Sequence, residues 1–476
     1  MSKLERVKLS LEIKHLPPHL SLCLSLSLSV SLLLERIMKP SCLVQDRAHK
    51  KDNRCHNYGG ASAAAAAAAT AALPPFLFFA LLLATLFTLF MVFSPSPLMI
   101  KRDLHQNTSS FIRPQQDCDL YRGHWVPDFR GSSSSSYTNS SCATIPDSKN
   151  CFRHGRKDTD FLNWRWKPDG CELPRFDPRA FLGMVRGKTL AFVGDSVARN
   201  HMESLLCLLS QAETPVDIFK DSDDRFRTWY FRGHDFTLKI LWSKFLVTGK
   251  EEVINGSSTG TFSLYLDEVD GEWAHKISTA DIAVVSAAHW FFRKIYLYEQ
   301  NRLVGCVYCN EPNVTSYGPE HAVRMSFRTA LSHINRCEKK HGRGGITMTF
   351  LRTFSPAHFE NGTWDTGGAC TLTSPYGEGE VDLGGYEWGF RNVQMEEVER
   401  ARGMGRRRRR KGGKRFGALD VTRAMLMRPD GHPGEHWGNK WMKGYNDCVH
   451  WCLPGPIDVW NDFLMAALRQ ERGTDS

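Results

Sequence analysis

The stretch LAFVGDSVARNH, Leu190 to His201, decides the fold. Leu190, Ala191, Phe192 and Val193 form a short apolar run, which reads as a buried strand. Gly194 breaks the run, Asp195 and Ser196 follow, and VARNHMESLLCLL continues with the pattern of an amphipathic helix. Asp195 is expected to cap that helix, because a carboxylate at this position accepts otherwise unpaired backbone N–H groups. A serine at a strand-to-helix turn is a common seat for a nucleophile, but it is also an ordinary place for a capping residue.

Working outward, β-rich runs recur at TLAFVGDS, DFTLKILWS, TGTFSLYLDEV, DIAVVSAAHWFF and GITMTFLRTFS. Helical patterns alternate with some of them: ARNHMESLLCLLS, HAVRMSFRTALSHINRCEKK and RNVQMEEVERARG. Such alternation predicts an α/β fold with a mostly parallel sheet flanked by helices. Sites in such sheets gather at the carboxyl ends of strands, where Ser196, His289 and Thr353 fall.

The N-terminal hundred residues differ in kind. LPPFLFFALLLATLFTLFMVF, residues 73–93, carries no charge and is long enough to cross a bilayer as a helix. It predicts a single signal anchor, with residues 1–72 cytosolic, residues 94–117 a stem, and residues 118–470 a luminal domain. The Ser/Leu-rich run Leu20 to Leu34 is better explained if residues 1–37 are not part of the working protein and translation starts at Met38. Five N-x-[ST] sequons, at Asn107, Asn139, Asn255, Asn313 and Asn361, all follow the span. Their one-sided placement predicts that the C-terminal part faces a glycosylating lumen.

The chain has 476 residues, 42% hydrophobic and 24% charged, enough for one large domain or two ordinary ones. Its net charge of +10 owes much to one run, Arg406 to Lys411, so no nucleic-acid partner is inferred. That glycine-flanked run reads as a solvated loop; the sharper reading is attraction of an anionic donor or glycan. Of 14 cysteines, eleven follow the span, as expected of a disulfide-bonded secretory domain. CVYC, Cys306 to Cys309, has no second C-x-x-C to complete a zinc site, so no metal is expected.

A serine hydroxyl needs a base to become nucleophilic, and a histidine base needs a carboxylate to fix its tautomer. Asp447 and His450 in NDCVHWCLPGPIDVWNDFL are three residues apart, so one turn can aim both side chains at one point. Alone, D-x-x-H reads as well as a surface pair beside a structural disulfide.

Joined to the GDS turn, it resembles the SGNH (GDSL-type) esterase superfamily. CDLYRGHWV, FLNWRWKPDGCELPRFD, FVGDSVARNHMESLLCLL, HWFFR, LRTFSPAHFENGTWDTGGAC, LDVTRAMLMRPDGHP and YNDCVHWCLPGPIDVWND resemble, in order, the plant trichome birefringence-like family. The likeness runs from about Cys118 to Leu468. It implies an SGNH-like luminal domain of a Golgi type II membrane protein that O-acetylates a hemicellulose, closest to the xyloglucan-acetylating branch. It implies Ser196 as nucleophile, His450 as base and Asp447 as its partner, with the Ser196 N–H in the oxyanion hole. Gly194 and Asp195 support that turn. The Gly and Asn that many SGNH enzymes add are not recognisable, so Arg199 and Asn200 are the candidates to compensate. No bound cofactor is implied, only an acetyl donor: acetyl-CoA, an acetylated intermediate, or a donor-supplying membrane protein.

By location, Cys118 is expected to pair with Cys171, Cys142 with Cys207, Cys151 with Cys452, and Cys370 with Cys448, leaving Cys306, Cys309 and Cys337. His289, Trp290 and Trp451 are candidate groove residues, with Trp364 and Trp437 behind them, although tryptophans and histidines also fill cores. Xylan or mannan acetylation, a polysaccharide acetylesterase, and a non-catalytic wall-glycan-binding protein are the alternative readings.

Overall fold

A computed structural model of the chain describes residues 118–128, 142–337, 345–408, 414–438 and 444–473. The expected cytosolic region, span and stem, the sequons Asn107 and Asn139, and the side chains of Arg406–Arg410 lie outside the described residues. Among the described residues no helix is long and apolar enough to cross a membrane.

In chain order, a two-stranded ribbon of β1 (Gly123–Pro127) and β2 (Trp164–Pro168) precedes helix α1 (Pro178–Met184). Then come β3 (Thr189–Gly194), α2 (Ser196–Ser210), β4 (Val216–Lys220), β5 (Phe226–Phe231) and β6 (Phe236–Trp242). Next are β7 (Val247–Ile254), β8 (Ser257–Val269), α3 (Gly271–Ala274) and β9 (Ile282–Ser286). After them run β10 (Ile295–Glu299), β11 (Arg302–Val307), β12 (Ser316–Tyr317) and α4 (Pro319–Arg336). The chain closes with β13 (Met348–Arg352), α5 (Tyr386–Arg408), β14 (Arg415–Leu419), α6 (Thr422–Leu426) and α7 (Val459–Gly473).

The main sheet has seven strands in the order β14-β13-β9-β3-β6-β5-β4. Its first five are parallel, and β5 and β4 add antiparallel at one edge. The expected α/β sheet with helices is therefore present. A second sheet, β12-β11-β10-β8-β7, was not anticipated. TGTFSLYLDEV, read as part of one alternating series, belongs to β8 of that sheet.

The period of two along the central strands explains why both faces are covered. Leu190 and Phe192 of β3, with Ile282 and Val284 of β9, enter one hydrophobic core together with Met202 of α2 and Trp460 of α7. Ala191, Val193, Ala283 and Val285 enter the other, with residues of β8, α4 and α5. β3 is thus buried on both faces, as a central parallel strand should be.

Among the described residues, five disulfides join Cys118–Cys171, Cys142–Cys207, Cys151–Cys452, Cys306–Cys309 and Cys370–Cys448. Cys337 Sγ sits 3.3 Å from His333 Nε2. Asn255, Asn313 and Asn361 are exposed turn residues with φ of 51°, 73° and 55°.

Gly194 ends β3 at φ +148°, and a Cβ there would lie 1.6 Å from the Ser286 carbonyl oxygen of β9. A side chain is therefore excluded by backbone, which cannot rotate away. Gly194→Ala is expected to destabilise the domain by more than about 3 kcal/mol, as a change combining overpacking with backbone strain. Thermal unfolding of the variant within about 2 °C of wild type would contradict this close approach.

Candidate functional site

The turn from β3 into α2 is held by Asp195, whose side chain is fully buried. Its Oδ1 accepts from the N–H groups of Val197 at 3.0 Å and Ala198 at 3.3 Å. Its Oδ2 accepts from Ala288 N–H at 3.2 Å and His289 N–H at 3.4 Å, beyond the end of β9. Burial pushes the carboxyl upward, but the hydrogen bond and charge of His289 and the charge of Arg352 outweigh it and bring it down to about 2. Asp195 is therefore an ionised cap, as its position in the sequence suggested. Ser196 follows as the first residue of α2 and is partly exposed. The Asp195 carboxylate takes the Val197 and Ala198 N–H groups and the Asp195 carbonyl takes the Arg199 N–H, so the backbone donor beside negative charge developing at Ser196 is its own N–H.

The second component is the segment from Asp447 to Leu453. Asp447 pairs with Gly434 through two backbone hydrogen bonds of 3.0 and 2.9 Å. Asp447 Oδ1 accepts from the His450 N–H at 2.9 Å, which closes the turn. His450 Nδ1 lies 3.0 and 2.9 Å from the two Asp447 oxygens, so it carries the proton and donates. Nε2 is thereby left as the basic nitrogen; it is buried and has no hydrogen-bond partner among the described residues. Cys448 and Cys452 tie this segment to Cys370 and Cys151 on either side. His432 Nδ1 supports it from behind, donating to the His450 carbonyl at 2.6 Å.

Burial raises the Asp447 carboxyl, but the charges of His450 and Lys149 and the hydrogen bonds from His450 hold it well below the usual range. Burial lowers His450; Asp447 pulls it upward, and the balance stays below the ordinary histidine value. Near neutral pH the pair is thus carboxylate and neutral imidazole, the state a general base requires.

Asn200, one turn beyond Ser196 on α2, brings the two components together. Its Oδ1 accepts from Trp451 N–H at 2.8 Å and its Nδ2 donates to the Trp451 carbonyl at 3.3 Å. Its carbonyl and one amide N–H are thus spent on the residue after His450, which makes Asn200 a clamp between the two components. Arg199 is also corrected: its guanidinium pairs with the Asp224 side chain and carbonyl and lies over Trp242, as a surface ion pair does.

Two of the three groove candidates are corrected as well. Trp451 is fully buried, stacked on His432 at 4.1 Å and donating to Ser355 Oγ at 2.8 Å, so no ring face is open to a sugar. His289 stacks on Phe354 at 5.0 Å and donates from Nε2 to the Ser355 carbonyl at 2.9 Å. Its Nδ1 lies 3.6 Å from Asp195 Oδ2, so the mostly buried ring supports Asp195. Thr353 is likewise buried, donating to Asp420 Oδ1 at 3.0 Å. Trp290 is half-buried, with Lys244 and Arg293 each 4.4 Å from its ring. Arg293 also lies 4.9 Å from the ring of Trp364, which is 39% exposed. Trp437 donates to the Tyr445 carbonyl at 2.8 Å.

Sequence reasoning missed Lys149, whose Nζ stands 3.3 Å from Asp447 Oδ2. Its only sequence signal is proximity to Cys151. Cys306, Cys309 and Glu311 cluster tightly, but the sulfurs share a disulfide and Glu311 is engaged by Lys294 and Tyr296.

Asn200→Ala removes both bonds to Trp451 and leaves its buried backbone N–H unpaired. It is expected to cost about 1–3 kcal/mol and to slow acylation by a chromogenic acetyl ester. Calorimetry and stopped-flow bursts test this; an unchanged burst would separate the clamp from function.

Residues 173–467 match the GDSL/SGNH-like acyl-esterase family found in Pmr5 and Cas1p, and residues 116–172 match the PMR5 N-terminal domain. The chain is 60% identical over 393 residues to xyloglucan O-acetyltransferase 4 of Populus trichocarpa, covering 82% of this chain and 90% of that protein. It is 59% identical over 372 residues to xyloglucan O-acetyltransferase 2 of Arabidopsis thaliana, covering 77% and 86%. It is 43% identical over 365 residues to protein trichome birefringence-like 19 of Arabidopsis thaliana, covering 76% and 83%.

Proposed function

The chain belongs to the GDSL/SGNH-like acyl-esterase family found in Pmr5 and Cas1p, and from that premise we propose that it transfers acetyl groups to hydroxyls of xyloglucan. The observation that carries the chemistry is a neutral, carboxylate-oriented imidazole whose Nε2 is unengaged among the described residues, clamped through Asn200 to the helix that begins at Ser196.

In the first half-reaction His450 Nε2 takes the Ser196 hydroxyl proton as Oγ attacks the acetyl carbonyl. The Ser196 N–H stabilises the oxyanion. His450 returns the proton to the departing donor group, leaving acetyl-Ser196. In the second, a sugar hydroxyl gives its proton to Nε2, its oxygen attacks the acetyl carbon, and the proton passes to Ser196 Oγ as that bond breaks. Asp447 stays ionised throughout and steadies the imidazolium.

Transfer must outcompete hydrolysis, so the acceptor hydroxyl has to be held in attack geometry. Trp364 supports a platform for it. The loop that bears it is tied to the Asp447 segment by the Asn446 bond to the Gly368 carbonyl (3.0 Å) and by Cys370–Cys448. The side-chain galactose of xyloglucan is the acceptor sugar in this reading. The donor is acetyl-CoA or an acetylated intermediate, delivered by a membrane protein or free. The disulfides and exposed sequons support a luminal domain, and residues 73–93 supply a Golgi signal anchor in type II orientation.

The full-length chain, an acetyl donor and deacetylated xyloglucan, xylan and mannan oligomers test the proposal. Acetylated xyloglucan is expected to form faster than free acetate at saturating acceptor. Dominant acetate release at every acceptor concentration means an esterase, and equal transfer to xylan or mannan removes the acceptor assignment. Ser196→Ala is expected to lower transfer by roughly 10³-fold or more with the fold intact. Wild-type turnover in that variant would exclude an acyl-serine and leave a glycan-binding role open. Trp364→Ala is expected to raise the acceptor KM by roughly 2- to 10-fold without altering the donor burst; an unchanged KM would remove the platform.

A further inference from the structure

We infer that Lys149 is a positioning residue of the catalytic pair: its ammonium holds Asp447 as a carboxylate and opposes protonation of His450, keeping the base available in mildly acidic solution. The inference rests on the Ser196–His450 reading above and adds a charge to it.

The placement of Lys149 is not that of an ordinary lysine. It ends a short 3₁₀ turn, Asp147–Lys149, and its side chain is only 10% exposed. Its carbonyl accepts the Leu453 N–H at 2.8 Å, and Cys151, two residues on, is disulfide-bonded to Cys452. Lys149 and the segment carrying His450 are therefore one rigid piece. The Nζ–Oδ2 distance of 3.3 Å and the Oδ2–Nδ1 distance of 2.9 Å put the ammonium at most about 6 Å from the imidazole.

Burying an ammonium and a carboxylate together stabilises a protein little, because desolvation cancels much of the attraction. What the pair does change is the charge that the imidazole meets. A lone buried carboxylate would draw a proton onto His450; a carboxylate already neutralised by Lys149 draws it less. Protonation of His450 then sets a second cation within about 6 Å of the first.

The other groups facing this cluster do not reverse the balance. Glu203 of α2 lies on the Lys149 side, but burial pushes its carboxyl up to about 7. In mildly acidic solution it is mostly neutral and leaves Asp447 as the carboxylate partner. His432, which bonds the His450 carbonyl, is held well below the usual histidine range by burial and by His358, and is neutral. His289, past the end of β9, adds its own influence in the same sense as Lys149. A weakly basic imidazole also forms a more acidic imidazolium, which favours proton return to the departing group.

The test is the pH dependence of the acylation burst of the full-length chain with p-nitrophenyl acetate, between about pH 5 and 8. Wild type is expected to keep its burst rate down to below about pH 6.5, the ordinary histidine value. In Lys149→Met the acid limb is expected to move up by about one to two pH units, as loss of a nearby like charge should move it. Lys149→Arg, which restores the charge, is expected to return the limb to within a few tenths of a unit of wild type. A limb that stays in place in Lys149→Met, even with a lower melting temperature, would make Lys149 merely structural and overturn the inference. If Lys149→Met does not fold, the wild-type limb decides: at or above about pH 6.5 the inference fails. The underlying reading fails differently, by no wild-type burst or by a burst that persists in Ser196→Ala.

Discussion

Asp195 carries a buried negative charge at the junction of three elements, and its two oxygens divide the work of holding them. One caps the start of α2 through Val197 and Ala198; the other takes the backbone of Ala288 and His289 beyond β9. A buried carboxylate left unpaired is very costly, so this arrangement is close to all-or-none. It fixes where β3 ends, where the helix begins and how Ser196 leaves the sheet. Gly194 makes the junction possible, since the β9 backbone occupies the space any side chain would need.

The other half of the site is fastened from several directions at once. The turn from Asp447 to His450 is too short to hold its own geometry. Two disulfides, a two-bond bridge to Gly434, the Asn200 clamp and the His432 bond each remove a freedom of motion. An imidazole held this firmly needs little reorganisation when it accepts a proton, which is the main physical advantage of a preorganised base. The same interior that fixes it keeps it neutral, because burial disfavours the imidazolium more than Asp447 favours it.

Around this rigid centre the aromatic residues divide by exposure. Trp451 and Trp460 are interior and support the dyad segment and α7, whereas Trp364 keeps an open surface and rests against Arg293. A tryptophan's chemistry suits both uses, and only its surroundings decide between them. Arginines divide in the same way: Arg352 is enclosed against Trp460, while Arg199 is drawn off to Asp224 at the edge of the sheet.

Short-range patterns in the sequence determined what depends on short-range contacts. The strand, glycine, cap and helix of Leu190 to His201 are one local device, and Asp447 and His450 meet because they are three residues apart. The alternation of apolar runs and helical patterns likewise determined an α/β sheet, since period is a property of consecutive residues. The second sheet was not legible, because the strands of both sheets have similar composition and differ only in their partners. Only the tertiary structure decided the roles of Asn200, Trp451 and Lys149. Asn200 acts on a residue 251 positions away and Lys149 on one 298 away. At such separations hydrogen-bond capacity and charge can be read from residue type, but burial and partner cannot. Those two quantities make Asn200 a clamp, close Trp451 to any sugar, and set an ammonium beside the Asp447 carboxylate.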